Sequence, residues 1–197
     1  MYVKPDGTIL SAMEIECNAV MRGELNDYFK KKSGIQGNFF IDEAYFPRIG
    51  VRMFLPDSMN NAEYFGYGPD ESYIDKHQAS YIGKFTDRVD RMHEDYIRPQ
   101  ENGSHYQCDY VSAADSYKKL TVYNETPISF NLSKYTSEEL TTKAHNYELE
   151  KSGYTVLCVD YRQSGIGSGS CGPQLADKYR LNGDHYSFSF HIKPEVL

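Results

Sequence analysis

The chain has 197 residues, of which 40% are hydrophobic and 25% are charged. These proportions are ordinary for one folded domain and exclude a disordered or collagen-like polypeptide. The 28 acidic and 21 basic residues leave a formal net charge of -7, which disfavours nucleic acid as a partner because its phosphates would be repelled. No apolar run approaches the roughly 20 residues that a membrane-spanning helix needs, so we expect no membrane partner either.

The N-terminal residues carry two indications. Lys4, Pro5 and Asp6 interrupt the apolar core that a signal peptide requires. Residues 2–10 have the pattern of a hairpin that begins partway through a sheet, which suggests a piece of a longer polypeptide. Localisation is therefore left unassigned, with the cytoplasm favoured over the periplasm or secretion.

Alternation of apolar and polar residues predicts that β-strands dominate the chain. With the hairpin, the segments give about nine or ten strands, antiparallel because short connections recur and helical crossovers do not. Residues 72–98 lack a clean period and are predicted to be a long irregular excursion. The predicted strands are residues 13–19, 49–55, 64–67, 106–111, 120–123, 128–132, 155–161 and 185–193.

One helix is predicted after Thr136. Thr136 and Glu139 form a capping box, Leu140, Ala144 and Tyr147 share a helical face, and Gly153 can supply the left-handed stop. We found no internal repeat and no low-complexity linker, so the chain is interpreted as one domain, residues 1–197. A sandwich is the simplest way for such a sheet to close.

Cysteine and histidine spacing gives no metal or redox motif. No Cys-x-x-Cys pair, His-x-x-x-His or His-Glu-x-x-His occurs, so we expect reduced thiols and no metal site. The four cysteines are Cys17, Cys108, Cys158 and Cys171.

The glycine-rich stretch at residues 165–173 is not a known catalytic loop. It has neither the spacing of a serine nucleophile elbow nor the ending of a phosphate loop, and no helix pattern follows it. Because it comes directly after the strand at residues 155–161, its small residues can approach a hydroxyl-rich ligand closely. The alternative is a β-bulge followed by a long turn.

Four blocks of the sequence resemble segments of the C-terminal domain of β-galactosidases of glycoside hydrolase family two, and they occur in the same order as in that domain. The resemblance implies an all-β, antiparallel supersandwich of the galactose-mutarotase-like kind. It also implies a large parent enzyme that removes terminal non-reducing β-D-galactose with retention. The blocks are Phe46-Pro47-Arg48-Ile49-Gly50, residues 64–75, residues 98–103 and residues 160–173.

In that family the catalytic glutamates lie on a central (β/α)8 barrel, which this chain lacks, so the resemblance assigns it no catalytic residue. It likewise implies no cofactor in this domain, since any Mg or Na of the parent belongs to its barrel. The implied partners are that barrel and the other parent domains, a galactoside such as lactose, and further copies in a homo-oligomer.

The family's C-terminal domain contributes a loop that lines the subsite for the leaving group, the aglycone. Family members carry Trp or Cys on this loop. Without Trp there is no stacking platform, so leaving-group affinity and transglycosylation are expected to differ from those of Trp-bearing relatives. The matching positions are Ser168, Gly169, Ser170 and Cys171.

The remaining motif residues are expected to hold the long excursion in place. Lys76 follows Asp75 where the family usually has Arg. The compact ammonium group of lysine therefore replaces the planar guanidinium group of arginine in the ion pair expected there. The motif residues are Gly68, Pro69, Glu71, Tyr73, Asp75, Glu101, Asn102 and Gly103.

Two other functions stay open. One is a stand-alone carbohydrate-binding module. The other is an enzyme like the aldose-1-epimerases, which share the mutarotase-like sandwich and use a histidine with a carboxylate as acid and base. Its candidate histidines are His105, His145, His185 and His191.

Overall fold

The computed structural model describes residues 45–166, 175–182 and 186–197, together with the backbone of residues 13–19. Within these ranges the chain forms eight antiparallel strands and one short α-helix, α1 (Ser137–Thr142). The strands are β1 (Met13–Ala19), β2 (Arg48–Pro56), β3 (Asn61–Gly68), β4 (Tyr81–Arg88), β5 (Ser104–Ala114), β6 (Lys118–Ser133), β7 (Tyr154–Gln163) and β8 (Tyr186–Val196).

The 16-residue strand β6 organises the sheet. One of its edges pairs with β5, and β3 and β4 extend the sheet beyond it. Its other edge is divided: residues 118–123 pair with β8, whereas residues 129–133 pair with β7. β1 then pairs with β8, and β2 pairs with β7. The result is an open, sandwich-like sheet that branches at β6.

The hydrophobic core is formed by side chains from β2, β3, β5, β6, β7 and β8. Its largest fully buried side chains come from β3, β6, β7 and β8, and they include Tyr64, Phe130, Leu157 and Phe190. Burying each such side chain contributes roughly 1.5–3 kcal/mol. Residues from connecting segments, such as Val89, complete the core.

The fold class is confirmed as all-β and antiparallel with one short helix, and each predicted strand lies within or largely overlaps an observed strand. Two predicted strands, residues 120–123 and 128–132, are parts of the single strand β6. The hairpin predicted at residues 2–10 lies outside the described residues.

The prediction that residues 72–98 are wholly irregular was wrong, because they contain β4 and a 3-10 turn, Val89–Arg91. β4 is an edge strand that is exposed along most of its length, with Tyr81 63% and Ile82 53% exposed. A strand that is mostly exposed shows no clear alternation of apolar and polar residues.

The helix begins as predicted but ends early. The Thr136 side chain accepts a hydrogen bond from the Glu139 backbone (3.2 Å), and Leu140 is buried. The helix stops at Thr142, so Ala144 lies outside it and Tyr147 is 78% exposed. Gly153 has the left-handed conformation (φ 78°), but it precedes β7 rather than ending α1. Nowhere in the described ranges is a helix long and apolar enough to cross a membrane.

Candidate functional site

Glu71 is the centre of the first polar cluster formed by the motif residues. Its side chain is only 5% exposed. It accepts hydrogen bonds from the Gly103 backbone (2.9 Å), the Tyr73 hydroxyl (3.2 Å), the Lys76 ammonium and the Tyr96 hydroxyl. Burial raises the pKa of Glu71, but the bonds from Lys76, Tyr96 and Gly103 outweigh it and hold that pKa below its ordinary value. The lysine that stands in place of the family's Arg therefore forms an ion pair with Glu71.

Arg48 is the centre of a second cluster, at the end of the β2–β7 ladder. Its Nε lies 3.0 Å from Asp160 Oδ1, and its Nη1 lies 3.0 Å from Glu101 Oε1. Asp160 is 1% exposed, and it also accepts a bond from the Gln163 amide (2.8 Å). Burial opposes the charge of Arg48, but the carboxylates of Asp160 and Glu101 raise its pKa above the ordinary value.

Residues 101–103 join the two clusters, because Glu101 binds Arg48 while the Gly103 amide binds Glu71. Asn102, which is buried, accepts a bond from the Glu94 backbone (3.1 Å) through its side-chain oxygen. Gly103 has a φ of 67°, and a Cβ there would meet the Met92 carbonyl. This position therefore requires glycine. We refer to both clusters, with these three residues, as the motif network.

Residues 164–166, which lead into the glycine-rich stretch, form hydrogen bonds at the same end of the molecule. The Ile166 amide donates to Asp75 Oδ1 (2.9 Å), and a Cβ on Gly165 would run into the Asp75 carboxylate. The buried Ser164 donates its backbone N–H to the carbonyl of Pro47 (2.9 Å) and its hydroxyl to that of Phe46 (2.6 Å).

The chain that returns from the stretch is held by the same residues. The Phe46 amide donates to the Leu181 carbonyl (2.8 Å), and the Leu181 amide donates to Ser164 Oγ (3.2 Å). We call residues 164–166 and Leu181 the loop stem. The stem is therefore fixed on both sides of residues 167–174.

The structure thus places six of the eight predicted motif residues in the motif network or in contact with the loop stem: Glu71, Tyr73, Asp75, Glu101, Asn102 and Gly103. Gly68 ends β3, and the Pro69 carbonyl accepts a bond from the Tyr64 hydroxyl (3.2 Å). Ser168, Gly169, Ser170 and Cys171 lie outside the described residues. Sequence reasoning did not single out Arg48, Asp160 or Tyr96. A signal existed for Asp160, because a carboxylate that ends a buried apolar strand requires a cationic partner. No comparable signal marked Tyr96.

Of the candidate histidines, His105 has the most unusual surroundings. It is 2% exposed, and its ring lies 4.4 Å from that of Tyr64 and 5.0 Å from that of Phe130. Nδ1 lies 3.1 Å from the Tyr67 carbonyl, so we assign the hydrogen to Nδ1. Burial lowers the pKa of His105 to about 4. The ring borders a cavity of about 170 Å³ that several carboxylates line: Asp70, Glu71, Asp87 and Glu94.

The other candidate histidines have more open surroundings. His145 stacks on Tyr147 and lies 3.6 Å from Glu148, and His191 stacks on Tyr123. His185 lies outside the described residues. In the part of the chain that the structure covers, no three His, Cys, Asp or Glu residues are placed to hold a metal ion.

The two cysteines whose side chains the structure describes, Cys108 and Cys158, are buried free thiols. Burial raises the pKa of both, to about 11 for Cys158. A thiol with a raised pKa carries little thiolate at neutral pH and is a poor nucleophile.

Comparison with known proteins agrees with the motifs. Residues 8–192 match the family described as "Beta galactosidase small chain". The chain is 50% identical over 148 residues to a protein named beta-galactosidase from Actinobacillus pleuropneumoniae, covering 75% of this chain and 14% of that protein. It is 44% identical over 149 residues to a beta-galactosidase from Staphylococcus xylosus, covering 76% and 15%.

A beta-galactosidase from Kluyveromyces lactis is 34% identical over 151 residues, covering 75% of this chain and 14% of the relative. The chain thus spans about 14–15% of the length of these curated relatives. Because the family match covers nearly the whole chain, the chain belongs to the β-galactosidase small-chain family.

Proposed function

We propose that this chain is a non-catalytic accessory domain of a β-galactosidase that hydrolyses terminal non-reducing β-D-galactose residues. Its segment Ser168, Gly169, Ser170 and Cys171 lines the aglycone subsite. The observation that carries this proposal is the family match over residues 8–192. The loop stem supports it, because a segment that lines a subsite must be anchored on both sides.

The electrostatics of the motif network support a non-catalytic role. A retaining glycosidase needs one carboxylic acid with a raised pKa and one carboxylate free to attack the sugar. Glu71 instead has a lowered pKa and four hydrogen-bond donors. Burial raises the pKa of Glu101, but Glu101 and the buried Asp160 both form ion pairs with Arg48, so neither is a carboxylate free to attack a sugar. In the proposal, the acid/base and the nucleophile therefore belong to a (β/α)8 barrel elsewhere in the parent enzyme.

The domain acts on the leaving group rather than on the bond that breaks. Contacts to the aglycone sugar orient the substrate, and they aid catalysis where they strengthen in the transition state. Cys171 offers no aromatic face for this sugar, so its contacts are weaker than those of a Trp-bearing relative. The same subsite holds the acceptor in transglycosylation, so Cys171 influences both reactions.

The proposed partners follow from the size of the relatives. The chain corresponds to about 14–15% of their length, so most of the enzyme lies outside it. We expect the domain to pack against the barrel and other parent domains, to bind no cofactor itself, to contact a galactoside such as lactose, and to occur in a homo-oligomer.

The proposal is tested by assaying the chain with and without the rest of its enzyme. The purified chain is expected to release no nitrophenol from a nitrophenyl β-galactoside. Adding it to a β-galactosidase that lacks this domain is expected to restore activity. Measurable turnover by the chain alone would contradict the accessory role.

One observation favours the epimerase alternative: His105 borders a cavity with several carboxylates. However, the cavity of about 170 Å³ is smaller than the roughly 300–1,000 Å³ of typical ligand sites. The aromatic rings of Tyr64 and Phe130 also pack against His105. An optical-rotation assay of galactose mutarotation is expected to show no acceleration by the chain. Lactose titration tests the carbohydrate-binding alternative, which millimolar binding by the isolated chain would favour.

A further inference from the structure

Asp75 makes one of the contacts that connect the motif network to the loop stem. Its Oδ1 accepts the Ile166 amide at 2.9 Å. A bond from a backbone N–H to a carboxylate is stronger than one between neutral groups. Gly165 lies so close to the same carboxylate that no side chain fits between them. One carboxylate therefore fixes two consecutive residues of the stem.

Asp75 is itself held by a tight turn. Tyr73 and Lys76 exchange two backbone hydrogen bonds, of 2.8 and 3.1 Å, on either side of it. The side chains of these two residues both bind Glu71, and Tyr73 is fully buried. The position of the Asp75 carboxylate is thus determined by the buried motif network.

We infer that Asp75 is a positioning residue of the β-galactosidase reaction. It fixes the loop stem through the Ile166 amide and the space left by Gly165, and this stem leads into the segment that the proposed function assigns to the aglycone subsite. This inference rests on the proposed function and deepens it. Moving the stem changes contacts to the aglycone but leaves the galactose subsite and the barrel in place, so the effect depends on the leaving group.

The test uses the intact β-galactosidase and two substrates. Lactose carries a sugar aglycone, whereas β-D-galactosyl fluoride carries a leaving group too small to reach the loop. Asp75→Ala removes the acceptor, and Gly165→Ala adds a methyl group against the retained carboxylate. We expect each to lower the lactose-to-fluoride ratio of kcat/KM by about five- to twenty-fold, the size expected for a misplaced positioning contact.

Two further variants sharpen the result. Asp75→Asn keeps an acceptor oxygen of the same reach and is expected to stay within about three-fold of the wild-type ratio. Asp109→Ala, at an exposed aspartate of β5, is expected to leave the ratio unchanged. If Asp75→Ala does not fold, Gly165→Ala and Asp75→Asn still provide the comparison.

The outcomes separate the inference from the proposed function. Equal loss on both substrates in the alanine variants would show a merely structural role and overturn the inference. The inference also fails if Cys171→Trp changes the ratio while Asp75→Ala and Gly165→Ala do not, although the proposed function would then stand. If Cys171→Trp leaves both the ratio and transglycosylation unchanged, the proposed function fails.

Discussion

The ladder between β2 and β7 has buried charges near both of its ends, and the two ends are built differently. At one end, where Arg48 faces Gln163 across the ladder, the Arg48 guanidinium joins two carboxylates, Asp160 and Glu101. At the other end, beside Pro56 and Tyr154, the buried charge is a single cation, Lys134.

Lys134 is 5% exposed, and most of its partners are neutral or in contact with water. It donates to the Asp57 carbonyl (2.8 Å), to the Asp57 carboxylate (2.8 Å) and to the Thr155 hydroxyl (2.9 Å). The Asp57 side chain is 63% exposed. Losing Lys134 therefore leaves no charge buried without a partner.

At the Arg48 end, by contrast, the loss of one partner leaves another ion buried and uncompensated. That end also carries the loop stem, since Phe46 and Pro47 precede Arg48 and bind Ser164. The Lys134 end carries the short β2–β3 connection and the segment with α1 that joins β6 to β7. The buried ion pairs, whose disruption costs more free energy, therefore lie at the end that carries the loop stem, where the proposed function needs a fixed segment.

The largest expected effect follows from Arg48→Ala. It leaves Asp160, which is almost fully buried, without its cation, so we expect the free energy of unfolding to fall by about 3–5 kcal/mol. Equilibrium unfolding of the purified protein measures this. The matched control is Arg52→Ala on the same strand, whose exposed ion pair with Glu138 is expected to contribute less than about 1 kcal/mol. Similar losses in both variants would remove the distinction between buried and exposed pairs.

A second prediction concerns pH, because acid is expected to weaken the motif end first. The pKa of His105 is lowered from 6.5 to about 4 in the folded state, so the unfolded chain binds more protons between these values. Stability therefore decreases as pH falls through this window, by at most about 3 kcal/mol. Glu71, whose pKa is also lowered, adds a loss below its ordinary pKa.

Unfolding measured between pH 7 and 4 tests this slope, with His105→Gln as the comparison. The glutamine keeps a polar side chain but does not titrate, so the slope between pH 6.5 and 4 should become smaller. An unchanged slope would exclude His105 as its source.

The fold could be predicted from the sequence wherever burial leaves a pattern. The apolar run that begins β7 is buried on both faces, and the alternation in β8 marks a strand with one buried face. β4 was missed because it is exposed along most of its length, and the end of α1 was misplaced because only Leu140 of the predicted stripe is buried.

Most residues of the candidate site lie within the motif blocks, but their arrangement was not predictable. The quoted motif blocks contain Glu71, Gly103, Arg48 and Asp160, yet Arg48 and Asp160 are 112 residues apart in the chain. Their pairing depends on strand register, which a single sequence does not specify. The contact of Asp75 with the loop stem depends on the same register, because the stem directly follows β7.

The smallest effect is expected at the Lys134 end. Lys134→Met replaces the ammonium by an apolar group of similar length, which lets Asp57 turn to water while Thr155 keeps its bond to the Met59 carbonyl (3.0 Å). We expect the free energy of unfolding to fall by only about 1–2 kcal/mol. Because this end does not touch the loop stem, the lactose-to-fluoride ratio of the intact enzyme should stay unchanged. A loss as large as that of Arg48→Ala, or a changed ratio, would mean that the two ends of the ladder do not differ in the way their partners indicate.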